Sequence, residues 1–385
     1  MRDRILAGAM RVRPRRAAGL VLLFVAIVTV VVHRSWVSAQ ARALVVLAAV
    51  SDPPVVGWLT RVITADPARV EIEIAGVPTT VVRAGLERKP ALVFVNGVTA
   101  RGRHHPDVQA LGSSLARVGF LVLVPDPHGL ARGELTERTL ADTVTVARAA
   151  TERPDANGSV ALVGVSAGTS LALLAAQDDA LAPHVSVVAG IAPYASLREA
   201  IRIATTGTYG EPGTTWKAKP FLGLVVARSL VAGLPEGRDR QRLRNALLAL
   251  PEDAPDPLSL FRPPPAGLGT DARTLATLLG NRDPEAFDEL YGSLPPRYRS
   301  GLDALSPIHR AEAIRARVEL ASAPRDDYFP LAESRALVAR APTGRLTVSR
   351  SLDHAIPELS LRAVGDLARV DGWIVRSLRA AHGGA

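Results

Sequence analysis

The sequence predicts an α/β protein: a mostly parallel sheet flanked by helices and interrupted by one inserted helical cap. Three observations carry this. Apolar runs of about five residues alternate with longer segments of helical spacing, the pattern of strands buried on both faces. One such run, Val160 to Val163, ends in Gly164-Val165-Ser166-Ala167-Gly168 and passes at once into an apolar helical stretch. Between 196 and 304 the strand pattern stops, and helical pieces joined by Pro/Gly-rich turns take its place.

The 385 residues suffice for one large domain or two ordinary ones, and 48% hydrophobic content supports a packed core. Residues 1–16 form a basic region, with Arg2, Arg4, Arg11, Arg13, Arg15 and Arg16 against Asp3 alone. That region supplies +5 of the net +9, so the remainder of the chain carries a weak field for steering toward phosphate, and nucleic acid is not an expected partner. Next comes the uncharged run Ala17 to Val32. As a helix it rises about 24 Å, slightly short of a ~30 Å hydrocarbon core, and Arg16, Arg34 and Trp36 can supply the missing interfacial reach. Residues 17–33 are therefore expected to cross a lipid bilayer once, at the cell membrane, with the basic flank inside and the rest of the chain outside. The competing expectation is a signal peptide cleaved near the small residues Ala39 to Ala41, giving a secreted protein. Residues 34–66 read as a linker packed on the domain or as an interfacial segment, broken by Asp52-Pro53-Pro54. The chain has no cysteine, which excludes disulfides, thiolate metal sites and a cysteine nucleophile.

The first part of the α/β body, 67–195, holds these elements in order. "VEIEI" and "VPTTVV" flank Ala75-Gly76 as a hairpin. "ALVFV" (91–95) and "FLVLV" (120–124) are buried strands, separated by a helix from Pro106 to Val118 with apolar residues at 108, 111, 115 and 118. A helix over Thr139 to Ala150 leads to "VALVGV", and the helix after Ser166 leads to "VSVVAGIA" (185–192). The cap, 196–304, shows no convincing strand. Its helices fall on "FLGLVVARSLVAGL", "DRQRLRNALLAL", "ARTLATLLG" and "EAFDELYGSL", with a proline-dense loop at 251–267. The second part of the body, 305–385, contributes "RVELAS" (317–322), "RLTVSR" (345–350) and a closing helix over 362–380.

A strand that turns abruptly into a helix strains its apical residue and leaves no room for side chains two positions before and after it. Glycines at 164 and 168 around Ser166 meet that demand, the G-x-S-x-G nucleophile elbow in its required strand-turn-helix context. A serine hydroxyl needs a base, and the base needs an orienting acid. At these residues the chain resembles the α/β-hydrolase superfamily, in particular serine esterases, lipases and dienelactone hydrolases, over roughly 70–195 and 305–385.

The resemblance implies the α/β-hydrolase fold and a triad in the order Ser, acid, His. Ser166 is then the nucleophile. Asp326, four residues before Pro330 and just past "RVELAS", is the acid, with Asp327 as the alternative. His354, past the final strand, is the base. The backbone amides of Ala167 and Val98 would bind the oxyanion. Relatives commonly carry His-Gly at the start of the loop after the third strand; Asn96-Gly97 stands here, which leaves open how that loop is held. Asp126 and His128 in "VPDPHG" read as loop-organising residues, and His104 and His105 as loop histidines near the pocket mouth. No metal-binding or dinucleotide motif occurs, so neither metal nor cofactor is implied. The functional expectation is a membrane-anchored serine hydrolase cleaving carboxylic esters, or amides or thioesters, of an apolar acyl substrate. Two alternatives stay open: a non-catalytic, membrane-tethered binding protein on the same fold, and an acyltransferase using the same triad. The oligomeric state is not legible.

Overall fold

The structure is a computed structural model and describes residues 34–51, 66–210, 213–353, 356–357 and 364–383. The basic region, the expected membrane span 17–33 and His354 lie outside the described residues.

The sheet has eight strands: β1 (Ala68–Ile74), β2 (Val77–Arg83), β3 (Lys89–Val95), β4 (Leu121–Pro125), β5 (Ala156–Val165), β6 (Val185–Ile191), β7 (Arg317–Ser322) and β8 (Gly344–Val348). Their spatial order is β1-β2-β4-β3-β5-β6-β7-β8. β1 and β2 form the expected hairpin, with Ile74 opposite Val77. Ala75 and Gly76 turn it at φ 48° and 85°, the positive values that a two-residue hairpin turn needs. β2 runs antiparallel to β4, and every later neighbour pair is parallel. This mixed, helix-flanked sheet is the α/β-hydrolase architecture.

Helices cover both faces. On one face lie α3 (Glu137–Glu152), capped reciprocally by Thr136 and Thr139, and α4 (Ala167–Ala175). On the other lie α1 (Arg34–Ser51), α2 (Pro106–Arg117) and α12 (Val364–Ala381). Two apolar cores result, one on each side of the sheet. α1 belongs to the second through Ala39, Ala43 and Val46, which are buried on one helical stripe. Gln40 Nε2 donates to Asp371 Oδ2 at 2.7 Å and ties α1 to α12.

The cap holds α5 (Leu197–Thr206), α6 (Phe221–Ala232), α7 (Arg238–Leu248), α8 (Thr270–Gly280), α9 (Phe287–Gly292) and α10 (Pro296–Ala304). It departs from a strand-free reading at one point, where Thr208–Tyr209 pairs antiparallel with Thr214–Thr215. The cap is pinned to the core beneath it. Arg228 of α6 donates to the carbonyl of Arg132 at 3.2 Å, and Ser229 bridges Gly133 and Leu135. Arg244 of α7 pairs with Glu134 at 2.6 Å. Burial works to raise the Glu134 carboxyl, but hydrogen bonds from Arg244 and Arg132 outweigh it and hold the group below the usual carboxylate value. The last helix between strands is α11 (Leu331–Arg340).

Candidate active site

Ser166 stands at the junction of β5 and α4 with φ 53° and ψ −127°. A non-glycine residue there costs on the order of 1–3 kcal/mol and persists only where its surroundings enforce it. Three glycines do so. A Cβ at Gly164 would come within 2.5 Å of the Gly168 carbonyl carbon, and one at Gly168 would overlap the carbonyl oxygens of Val95 and Asn96. A Cβ at Gly190 would overlap the Thr169 side chain. α4 thus lies against the ends of β3 and β6 with no side chain between. The Ser166 amide donates to the Ile191 carbonyl at 2.8 Å, which fixes the apex.

Ala167 opens α4, so its amide is among the first N–H groups of that helix, which lack intrahelical acceptors and attract negative charge. The loop after β3 passes directly beside the elbow: the Cβ position of Gly97 is 3.5 Å from Ser166 Cβ. Val98, Ala167 and Ser166 line one cavity. How this loop is held is visible in Asp126. Its Oδ1 accepts from the Arg103 amide at 2.9 Å, and its Oδ2 pairs with the Arg103 guanidinium. Arg103 reaches on to Glu71 at 3.0 Å. Asp126 therefore organises the loop, as its position suggested. His128 is exposed; its backbone amide donates to Asp142 and its carbonyl accepts from Thr139. His105 accepts from the Asp107 amide as the N-cap of α2 and lines the cavity, whereas His104 is exposed.

The two adjacent aspartates after β7 face different surroundings. Asp326 is buried, and its Oδ1 accepts from the amides of Tyr328 and Phe329 at 2.8 and 3.0 Å. Asp327 turns to the surface and forms an ion pair with Lys219, whose amide donates to the Asp327 carbonyl. Asp327 does not cap α11, whose N-cap is Pro330. Phe329 and Tyr328 line the cavity that holds Ser166, so the Asp326 loop borders it.

That cavity measures about 550 Å³, within the range of small-molecule sites. Its walls are largely apolar, with Asn96, Thr99 and Ser166 among the polar exceptions. Tyr194 lines it too. Its buried hydroxyl has no hydrogen-bond partner among the described residues, and burial pushes that hydroxyl's pKa up. Sequence reasoning missed Tyr194 and also Glu333, whose Oε2 accepts from the amides of Ala195 and Ser196 at 2.7 and 3.1 Å. Burial raises the Glu333 carboxyl to about 7. No sequence signal marks either residue, because each depends on the loop after β6 meeting α11 or the cap.

No protein-family model matches the chain, and no curated protein matches it. Among solved structures it is similar to Est1E from Butyrivibrio proteoclasticus, at 13% identity and a TM-score of 0.46 over 81% of this chain and 98% of that one. It is similar to DcsB in complex with its substrate analogue, at 18% identity and 0.48 over 83% and 100%. A third is the acylaminoacyl peptidase of Pyrococcus horikoshii, at 13% and 0.45 over 84% and 42%.

Proposed function

We propose that the protein is a serine hydrolase that cleaves carboxylic esters of apolar substrates through an acyl-enzyme. The observation that carries this reading is Ser166: a strained serine between strand and helix, at the wall of an apolar cavity. Ser166 Oγ attacks the ester carbonyl while His354 takes its proton. The tetrahedral oxyanion is stabilised by the amides of Ala167 and Val98. His354 then returns the proton to the departing alcohol, and a water repeats the cycle to free the acid. Asp326 holds the imidazole in the required tautomer. The buried, doubly hydrogen-bonded carboxylate of Asp326, against the surface ion pair of Asp327, supports this choice of acid.

The protein is anchored in the cell membrane by residues 17–33, with its hydrolase domain outside. α1 supports an uncleaved N-terminus, since Ala39 to Ala41 lie inside that helix and Ala39 is buried in the second core. A mature protein beginning near Arg42 would contradict the anchor.

The test of the chemistry is hydrolysis of p-nitrophenyl esters by the wild type and Ser166→Ala. The variant is expected to fold and to lose on the order of 10⁴-fold or more in kcat. A variant that keeps near-full activity would overturn the proposal.

A further inference from the structure

The cavity at Ser166 is walled from both faces of the sheet. On the cap side its wall includes Tyr194, Ile201, Phe221, Val225, Leu230 and Phe329, all in or packed on the first core. On the opposite side it includes Val46, Phe94, Leu115, Ala189, Trp373 and Leu378, all in the second core. A single cavity lined by both cores must pass around the carboxyl ends of the strands, where Gly97 and Ser166 sit. Ser166 therefore stands between two apolar chambers.

The chamber behind the sheet has its own signature. Val163, Val165 and Ile191 lie in central strands, where full burial is the rule, yet each is only partly buried and each lines the cavity. Small side chains help to leave this space: Ala189 faces it from β6. Its outer walls are fixed. Trp373 Nε1 donates to the Glu319 carbonyl at 3.0 Å, and Arg376 donates to Glu319 Oε2 at 3.0 Å and to Thr347 Oγ1 at 2.8 Å. These bonds hold α12 on the sheet, and Gln40 ties α1 to α12. Among the described residues of the lining, the imidazole of His105 and the carboxyl of Asp107 sit together at the start of α2, and Asp107 is exposed, which marks a mouth to solvent. Behind that mouth, the described walls of the rear chamber are almost wholly hydrocarbon.

We infer that the substrate carries hydrocarbon on both sides of its scissile bond, and that the chamber walled by α1 and α12 seats one of the two chains. This rests on the hydrolase reading for the position of the bond at Ser166. An ester fits the arrangement: its carbonyl lies at the crossing, its acyl chain runs to one side and its alcohol chain to the other. α1 then acts as a wall of the binding site as well as a connection to the N-terminal region.

The test measures affinity, so that it does not depend on turnover. The full chain carrying Ser166→Ala is titrated calorimetrically with two series of unbranched esters, one lengthened in the acyl chain and one in the alcohol chain. Affinity is expected to rise about fourfold per methylene along both series, from about 0.8 kcal/mol per buried methylene. Ala189→Leu and Val46→Phe fill the rear chamber from opposite walls. In the Ser166→Ala background each should flatten one series, the same one for both, and leave the slope of the other. Either variant suffices if the other fails to fold. A rise along one series only, or two folded filling variants that alter neither slope, would overturn the inference. Binding that behaves as expected in a protein that hydrolyses no ester would count against the hydrolase reading and not against the chambers.

Discussion

Gly168 lies so close to the carbonyl oxygen of Val95 that a Cβ at this position would overlap it. This approach brings the first turn of α4 against the end of β3 and so sets Ser166 beside the loop that carries Gly97 and Val98.

Gly168→Ala is expected to force those elements apart and to destabilise the fold by about 3 kcal/mol, the upper range for overpacking. Gly292→Ala, at the end of α9 where a Cβ meets nothing within 4 Å, is the matched control and should change stability by less than about 0.5 kcal/mol. Denaturant midpoints of the two variants check this. Equal midpoints would mean that the elbow has slack the structure does not show.

Asp326→Asn and Asp327→Asn should separate sharply. Removing the acid that orients the base costs about 10⁴-fold in kcat. Removing Asp327 breaks a half-exposed ion pair with Lys219, worth at most about 1 kcal/mol of stability, and should leave kcat nearly unchanged. Side-by-side kcat values decide the matter, and a crippled Asp327→Asn with an active Asp326→Asn would move the acid by one residue.

Glu333 gives a pH dependence of stability. Burial raises its carboxyl to about 7 in the folded protein, above its ordinary value. Between that ordinary value and 7 the folded state holds a proton that the unfolded state has released. The contribution of Glu333 is therefore fully present at low pH and is lost as pH rises through about 7, by on the order of 3 kcal/mol. Glu333→Gln keeps an acceptor for Ala195 and Ser196 without the titration. Its stability between pH 5 and 7, measured by denaturant unfolding, should fall less steeply than that of the wild type. Parallel curves would show that Glu333 titrates normally.

The strands of the sheet and the elbow were legible because buried parallel strands write themselves as unbroken apolar runs and because the turn at Ser166 admits only glycine at 164 and 168. The helix α5 was less so. Its sequence, "LREAIRIATT", sets Leu197, Ala200, Ile201 and Ala204 on one side and Arg198, Glu199 and Arg202 on the other, yet the structure buries Arg202 too, against Glu199, Asp288 and the Phe287 ring, because the cap packs over the charged side. The Ala39, Ala43 and Val46 stripe of α1 was hidden because alanines carry little hydrophobic signal, and 34–66 read equally well as a linker packed on the domain or as an interfacial segment. The rear chamber could not be read at all. It consists of space left by Ala189 and bounded by helices more than 300 residues apart in sequence, α1 and α12. Asp326 and Asp327 could be told apart in sequence only by their distance from Pro330, whereas the structure separates them by burial and by partner.

The most direct measurement of the central claim is labelling with an alkyl fluorophosphonate, followed by mass spectrometry of the digested protein. Only a serine activated as a nucleophile reacts rapidly with such a probe. With Ser166 as the nucleophile, one adduct is expected, on the peptide containing Ser166, and none in Ser166→Ala. A wild-type protein that stays unlabelled, or one labelled at another residue, would contradict it.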